Sequence, residues 1–239
     1  MTRAPAANRP PIGWLVLAGL STLLVGVCLY LVFVVAPVEQ QMGIVQKIFY
    51  FHVPSAYAMY VAWAAAAVGS LLYLWKRDER WDALAVAGAE VGMVYCLIVL
   101  TTGPLWARKA WGVYWTWDPR LTTVMLTGMV YLAYLSLRSF GEAGEVEKRF
   151  ASGLALVGVP TMYLIHESVQ RWRGVHPTVI TGRGGGIHPD MRPALLTAFV
   201  LFTALVALLV WTRYRVERVR QRLRALELEA AEAGLLEEA

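Results

Sequence analysis

The sequence predicts an all-α fold, an integral membrane bundle of six transmembrane helices with both termini in the cytoplasm. Three observations predict it. Hydrophobic residues make up 58% of the 239 positions and charged residues 16%, with a mean hydropathy of +0.50, far from the composition of an ordinary soluble domain. A spanning helix needs roughly 20 mostly apolar residues, and six such runs follow one another: Gly13–Ala36, Pro54–Trp75, Ala83–Gly103, Leu121–Leu137, Phe150–Glu167 and Pro193–Thr212. The basic residues gather in alternate connecting segments, which orients the bundle. Residues 1–12 then form a cytoplasmic N-terminus, 13–212 the membrane domain and 213–239 a cytoplasmic tail.

Each span has a local reason. Arg3 and Arg9 precede the first, as they would in a signal peptide, but its apolar stretch exceeds the roughly 7–15 residues of a signal h-region and it reads as a retained helix. The second starts at Pro54, after a segment carrying Lys47 and His52. The third carries Ala85, Gly88, Ala89 and Gly92, a small-xxx-small stripe that lets helices pack closely in lipid. Glu90, also inside it, is accounted for by protonation or an internal hydrogen bond. The fourth begins at Asp118-Pro119, a helix start with Asp as N-cap and Pro in the first turn. The fifth ends at His166-Glu167. Before the sixth, Gly182-Arg183-Gly184-Gly185-Gly186 lacks the strand-then-helix setting of a phosphate loop and reads as a hinge. In the tail, Val216, Val219, Leu223 and Leu226 recur at helical spacing, giving an amphipathic helix whose arginines rest on anionic headgroups. Cys28 and Cys96 lie inside spans as small apolar residues, with no Cys-x-x-Cys pairing.

Fourteen of the 22 basic residues fall in segments 1–12, 76–82, 138–149 and 213–239. The positive-inside rule places those segments in the cytoplasm and 37–53, 104–120 and 168–192 outside. Eight cations remain outside, and outer cations call for an anionic reason. No nucleic-acid partner is expected from this distribution.

The outer segment 104–120 is the strongest functional signal. Trp106, Trp111, Trp115 and Trp117 stand there with Tyr114, Arg108, Lys109 and Arg120. An interfacial aromatic belt explains the scattered Trp14, Trp63, Trp75, Trp81 and Trp211, but not four indoles beside cations in one short loop. Aromatic faces suit a flat apolar ring, and the cations suit acids at its edge; haem has both features. Four histidines, His52, His166, His176 and His188, lie on the same side, and six-coordinate haem iron takes two axial ligands from opposite faces. Geometry alone leaves the second ligand open.

The stretch Trp111-Gly112-x-x-Trp115-x-Trp117-Asp118-x-Arg120-Leu121-Thr122 resembles the tryptophan-rich signature of the haem-handling proteins of cytochrome c maturation. The flanking Phe49-Tyr50-Phe51-His52-Val53-Pro54-Ser55-Ala56 and Ile165-His166-Glu167-Ser168-Val169-Gln170-Arg171-Trp172, the latter followed by His176, narrow the resemblance to the haem exporter protein C (CcmC) family over roughly residues 13–212. The resemblance implies a bacterial inner-membrane protein, not an enzyme. It would bind haem b outside the membrane between His52 and His176, on a platform of Trp111, Trp115 and Trp117. It would deliver haem to the chaperone CcmE and associate with the transporter subunits CcmA and CcmB and the small CcmD. His166 would be structural, Asp118 belongs to the motif, and Arg120 and Lys47 are expected to meet the propionates. Two rivals remain. A b-type cytochrome subunit would bury paired histidines mid-span, and none of these lies there; a substrate transporter would need broken helices and midplane polar groups, for which only Glu90 speaks.

Overall fold

The computed structural model describes residues 10–140, 144–172, 174–176 and 186–235, leaving Arg3, Arg9 and residues 182–185 of the expected hinge outside. Six long helices account for most of this: α1 Ile12–Tyr30, α2 Phe49–Lys76, α3 Glu79–Trp111, α4 Pro119–Phe140, α5 Glu145–Trp172 and α6 Arg192–Glu232. No strand forms among the described residues; one isolated bridge joins Glu39 and Gly43. Five segments are long and apolar enough to cross a membrane: Ile12–Val35, Ile44–Lys76, Glu79–Trp111, Pro119–Phe140 and Pro189–Glu232. The chain is therefore a multi-pass membrane protein. The exception, α5, carries charge at both ends, from Glu145 to Arg149 and from Glu167 to Arg171.

The pair α2–α3 is the spine. Left-handed Arg77 (φ 55°) ends α2, and Asp78 starts α3 by accepting from the Arg80 N–H at 2.9 Å. The small residues then act as the stripe foretold: a Cβ at Gly88 would stand 2.5 Å from the Ala66 nitrogen, and one at Gly69 2.6 Å from that of Ala85. Backbones this close gain dispersion contact where no hydrophobic effect acts between helices. Farther along, Trp63 stacks on Tyr131 of α4, ring centroids 4.5 Å apart. Cys28 and Cys96 are free and buried.

Several boundaries differ from the sequence reading. α3 does not stop at Gly103 but runs through Pro104 to Trp111, so only 112–118 of the expected outer loop 104–120 is loop. The segment before the second span is likewise structured, with a 3₁₀ turn over Ile44–Ile48 leading into α2 at Phe49, which puts His52 on a helix. The tail is helical, as its spacing predicts: it extends α6 unbroken to Glu232, with Glu217 buried on its inner face. Arg213 pairs with Glu90, the internal hydrogen bond that the sequence reading gave as one account of Glu90. Gln221 donates to Glu79 O at 3.0 Å and Asp82 Oδ2 at 3.2 Å. The stripe Val216, Val219, Leu223 and Leu226 faces out.

At this end the helices are tied by charge. Asp82 and Arg138 (2.9 Å), Arg138 and Glu147 (3.3 Å), and Lys148 and Glu79 (2.7 Å) link the start of α3, the end of α4 and the start of α5. Asp82 and Arg138 are 2% and 6% exposed at their side chains, so each needs the other.

A candidate cofactor-binding cavity between two histidines

At the opposite end, α2, α3, α4, α5 and the segment after α5 enclose a cavity of about 230 Å³. His52, Trp111, Trp115, Arg120, His166 and His176 all reach its wall, residues drawn from across 125 positions of sequence.

His52 sits in the first turn of α2, and its Nδ1 lies 2.9 Å from Thr102 Oγ1 on α3. That hydroxyl donates its one proton to Ile98 O at 2.6 Å, so it accepts from His52 Nδ1–H. The tautomer is thereby set: the lone pair is on Nε2, as a metal-ligating imidazole requires. Gly103 lies against the ring, where a Cβ would be 3.2 Å from Cε1. The approach from α3 is already filled.

His176 is held from the other side. Asp118, 5% exposed, uses both carboxylate oxygens: Oδ1 accepts from Arg120 N–H at 2.8 Å, capping α4, and Oδ2 accepts from Val175 N–H at 2.6 Å. The helix start of the sequence reading is confirmed, and the same residue tethers the segment that carries His176. Gly174 makes the approach possible, because a Cβ there would run into the Asp118 carboxylate. Arg120 Nη1 donates to His176 Nδ1 at 3.3 Å, and the Trp111 ring meets that imidazole edge-on at 6.4 Å.

The indoles divide. Trp106 and Trp111 pack edge to face at 5.8 Å on the last turns of α3, and Gly112, in the left-handed region (φ 79°), turns the chain so that Trp115 returns to the wall. Trp117 contacts Trp115 edge-on at 6.0 Å but is 75% exposed and not on the cavity wall. Arg108 is turned away, donating to Gly112 O and lying 5.5 Å from the Tyr114 ring.

Lys47 is not brought to the cavity. Its buried ammonium donates to Val32 O and Ala36 O at 2.6 Å and to Pro37 O at 3.3 Å, closing the carbonyls left open where α1 passes through a π turn at Leu31–Val35. Spacing alone gave no sign of carbonyl partners 10 to 15 residues upstream. Thr102 and Gly174 carry no signal in the sequence reading, which counted Trp106 among the four indoles without naming it as a site residue and set His166 aside. Trp106 stood within the motif segment; Thr102 and Gly174 act through contacts that no local pattern announces.

The chemistry available is that of an apolar, aromatic slot with imidazoles on more than one wall. Arg120 Nε and Trp106 Nε1 are buried without a partner among the described residues, two donors that an acidic or polar ligand edge would satisfy.

The pattern of the family described as "Heme exporter protein C" matches residues 7–229. A protein named "Heme exporter protein C" from Bradyrhizobium diazoefficiens is 34% identical over 230 residues, covering 95% of this chain and 86% of its own length. One of the same name from Rhodobacter capsulatus is 33% identical over 217 residues, 90% and 89% of the two chains. A "putative cytochrome c biosynthesis ccmC-like mitochondrial protein" from Arabidopsis thaliana is 32% identical over 195 residues, 81% and 74%.

Proposed function

The chain belongs to the heme exporter protein C family, with the role in haem handling for cytochrome c maturation which that implies, and from that premise we propose that it binds haem b between His52 and His176 and passes it to the chaperone CcmE. The observation that carries this is the convergence of both imidazoles, Trp111, Trp115 and Arg120 on one cavity. His52 offers Nε2 at once. His176 binds iron through Nε2 only with its proton on Nδ1, so it must give up the contact from Arg120. Ligation would therefore free Arg120 for a propionate. With imidazole on both faces the iron has no open position for oxygen.

The bundle crosses the bacterial inner membrane six times, α5 included, since that helix keeps its charges to its ends and packs along α4 and α2. Both termini are cytoplasmic and the cavity is extracytoplasmic, as the basic segments indicate. CcmA, CcmB and CcmD are the assembly partners, and exposed Trp117 beside the cavity is a surface for CcmE. Capture of purified CcmE by haem-loaded and haem-free protein tests the delivery step: stronger capture when loaded, followed by movement of haem to CcmE, is expected. Equal capture with haem retained would favour a b-type electron-transfer subunit.

A further inference from the structure

The end of the bundle away from the histidines holds a second opening, between α2 and α6 over the start of α3, with a volume of about 470 Å³. Ala65 and Ala207 form its floor, Thr203 marks its deep end, and Arg80, Trp81 and Tyr214 stand at its mouth. From Thr203 to Tyr214 is about 16 Å at 1.5 Å rise per residue. One leaflet of a hydrocarbon core roughly 30 Å thick is about 15 Å. The groove thus has the length of a single acyl chain, with Arg80, Trp81 and Tyr214 at its headgroup end.

Its mouth is basic. The Lys76 ammonium lies 5.5 Å and the Arg80 guanidinium 5.4 Å from the centroid of the Trp81 indole. Asp78 pairs with Arg80 at 2.7 Å, whereas Lys76 has no carboxylate within 4.0 Å among the described residues. The Trp81 indole N–H is shut off from solvent and donates to nothing described. An aromatic belt explains indoles at this depth, but not a groove one leaflet deep with Arg80 at its mouth and Lys76, without a described acid, over the same Trp81 ring. Hydrocarbon satisfies only the floor; a phosphate on the same molecule satisfies both ends.

We infer that this groove binds an anionic phospholipid, one acyl chain lying along Ala65 and Ala207 and the phosphate facing Lys76 and Arg80. The full chain in neutral detergent, exposed to equal amounts of phosphatidylglycerol and phosphatidylcholine, tests it by native mass spectrometry of retained lipid. With each interfacial cation worth about a 5-fold preference, wild type should retain phosphatidylglycerol at least about 5-fold over phosphatidylcholine. Lys76→Gln with Arg80→Gln should bring the ratio toward one, and Ala207→Phe should expel both lipids; an unchanged haem spectrum in each variant shows that the fold persists. Equal retention of the two lipids by wild type overturns the inference, as does a charge-independent ratio. So does a polypeptide crosslinked at position 207 that lipid fails to displace, which would give the groove to a partner helix.

Discussion

The two ends of this bundle both gather arginine from α4, and they use it differently. At one end Arg138 is consumed by Asp82 and Glu147, with Lys148 on Glu79 beside it. At the other, Arg120 donates its backbone N–H to Asp118 while its guanidinium hydrogen-bonds an imidazole within the field of the Asp118 carboxylate, and its Nε has no described partner. A buried cation matched to carboxylates holds helices together; one whose Nε–H has no described partner keeps room for a further acceptor. The difference parallels the sequence reading, which placed Arg138 in a basic connecting segment and Arg120 beside the tryptophan motif.

Substitution can break that comparison. Arg138→Ala leaves Asp82 buried without its cation and should cost about 3–5 kcal/mol, seen as a large drop in thermal stability in detergent, with any folded fraction keeping a normal haem spectrum. Arg120→Ala should reverse the pattern: stability little changed and haem affinity weakened by about 1.5–3 kcal/mol, the worth of a charge-assisted contact, read by haem titration. Equal haem loss in both variants would erase the distinction.

Lys47 sharpens it further. The sequence offered Lys47 as a second propionate cation, yet three carbonyls near the end of α1 hold it. Lys47→Met should lower stability by about 1–3 kcal/mol, the cost of buried groups left unsatisfied, while a haem titration stays at the wild-type value. A loss of affinity at constant stability would return Lys47 to the ligand. Trp117→Ala is the smallest expected effect: at 75% exposure, its loss should leave haem retention unchanged and weaken only the capture of CcmE.

How much of this was readable follows from the range of each signal. Apolar runs and caps are local, so the helices, the Asp118 start of α4 and the glycine contacts between α2 and α3 were legible. Helix ends were less so, because the indoles and Pro104 resembled a loop while tertiary packing extended α3 to Trp111. In the site, residue type pointed to the tryptophans and to four histidines, from which the family resemblance singled out His52 and His176. Which groups orient them did not show. Thr102 fixes a tautomer from 50 positions away, and Asp118 grips Val175 from 57, next to a glycine that makes room. Gly174→Ala should therefore act on His176 without touching it, giving a mixture of six- and five-coordinate iron.

The most direct measurement is the absorption spectrum of haem-loaded protein, wild type against His52→Gly, His176→Gly and His166→Gly, each with and without added imidazole. The account predicts a six-coordinate bis-imidazole spectrum in wild type and in His166→Gly. It predicts loss of that spectrum in the His52 and His176 variants, with imidazole restoring it in both. A wild-type spectrum surviving in His176→Gly, or lost in His166→Gly and regained with imidazole, would contradict it and move the second ligand to α5.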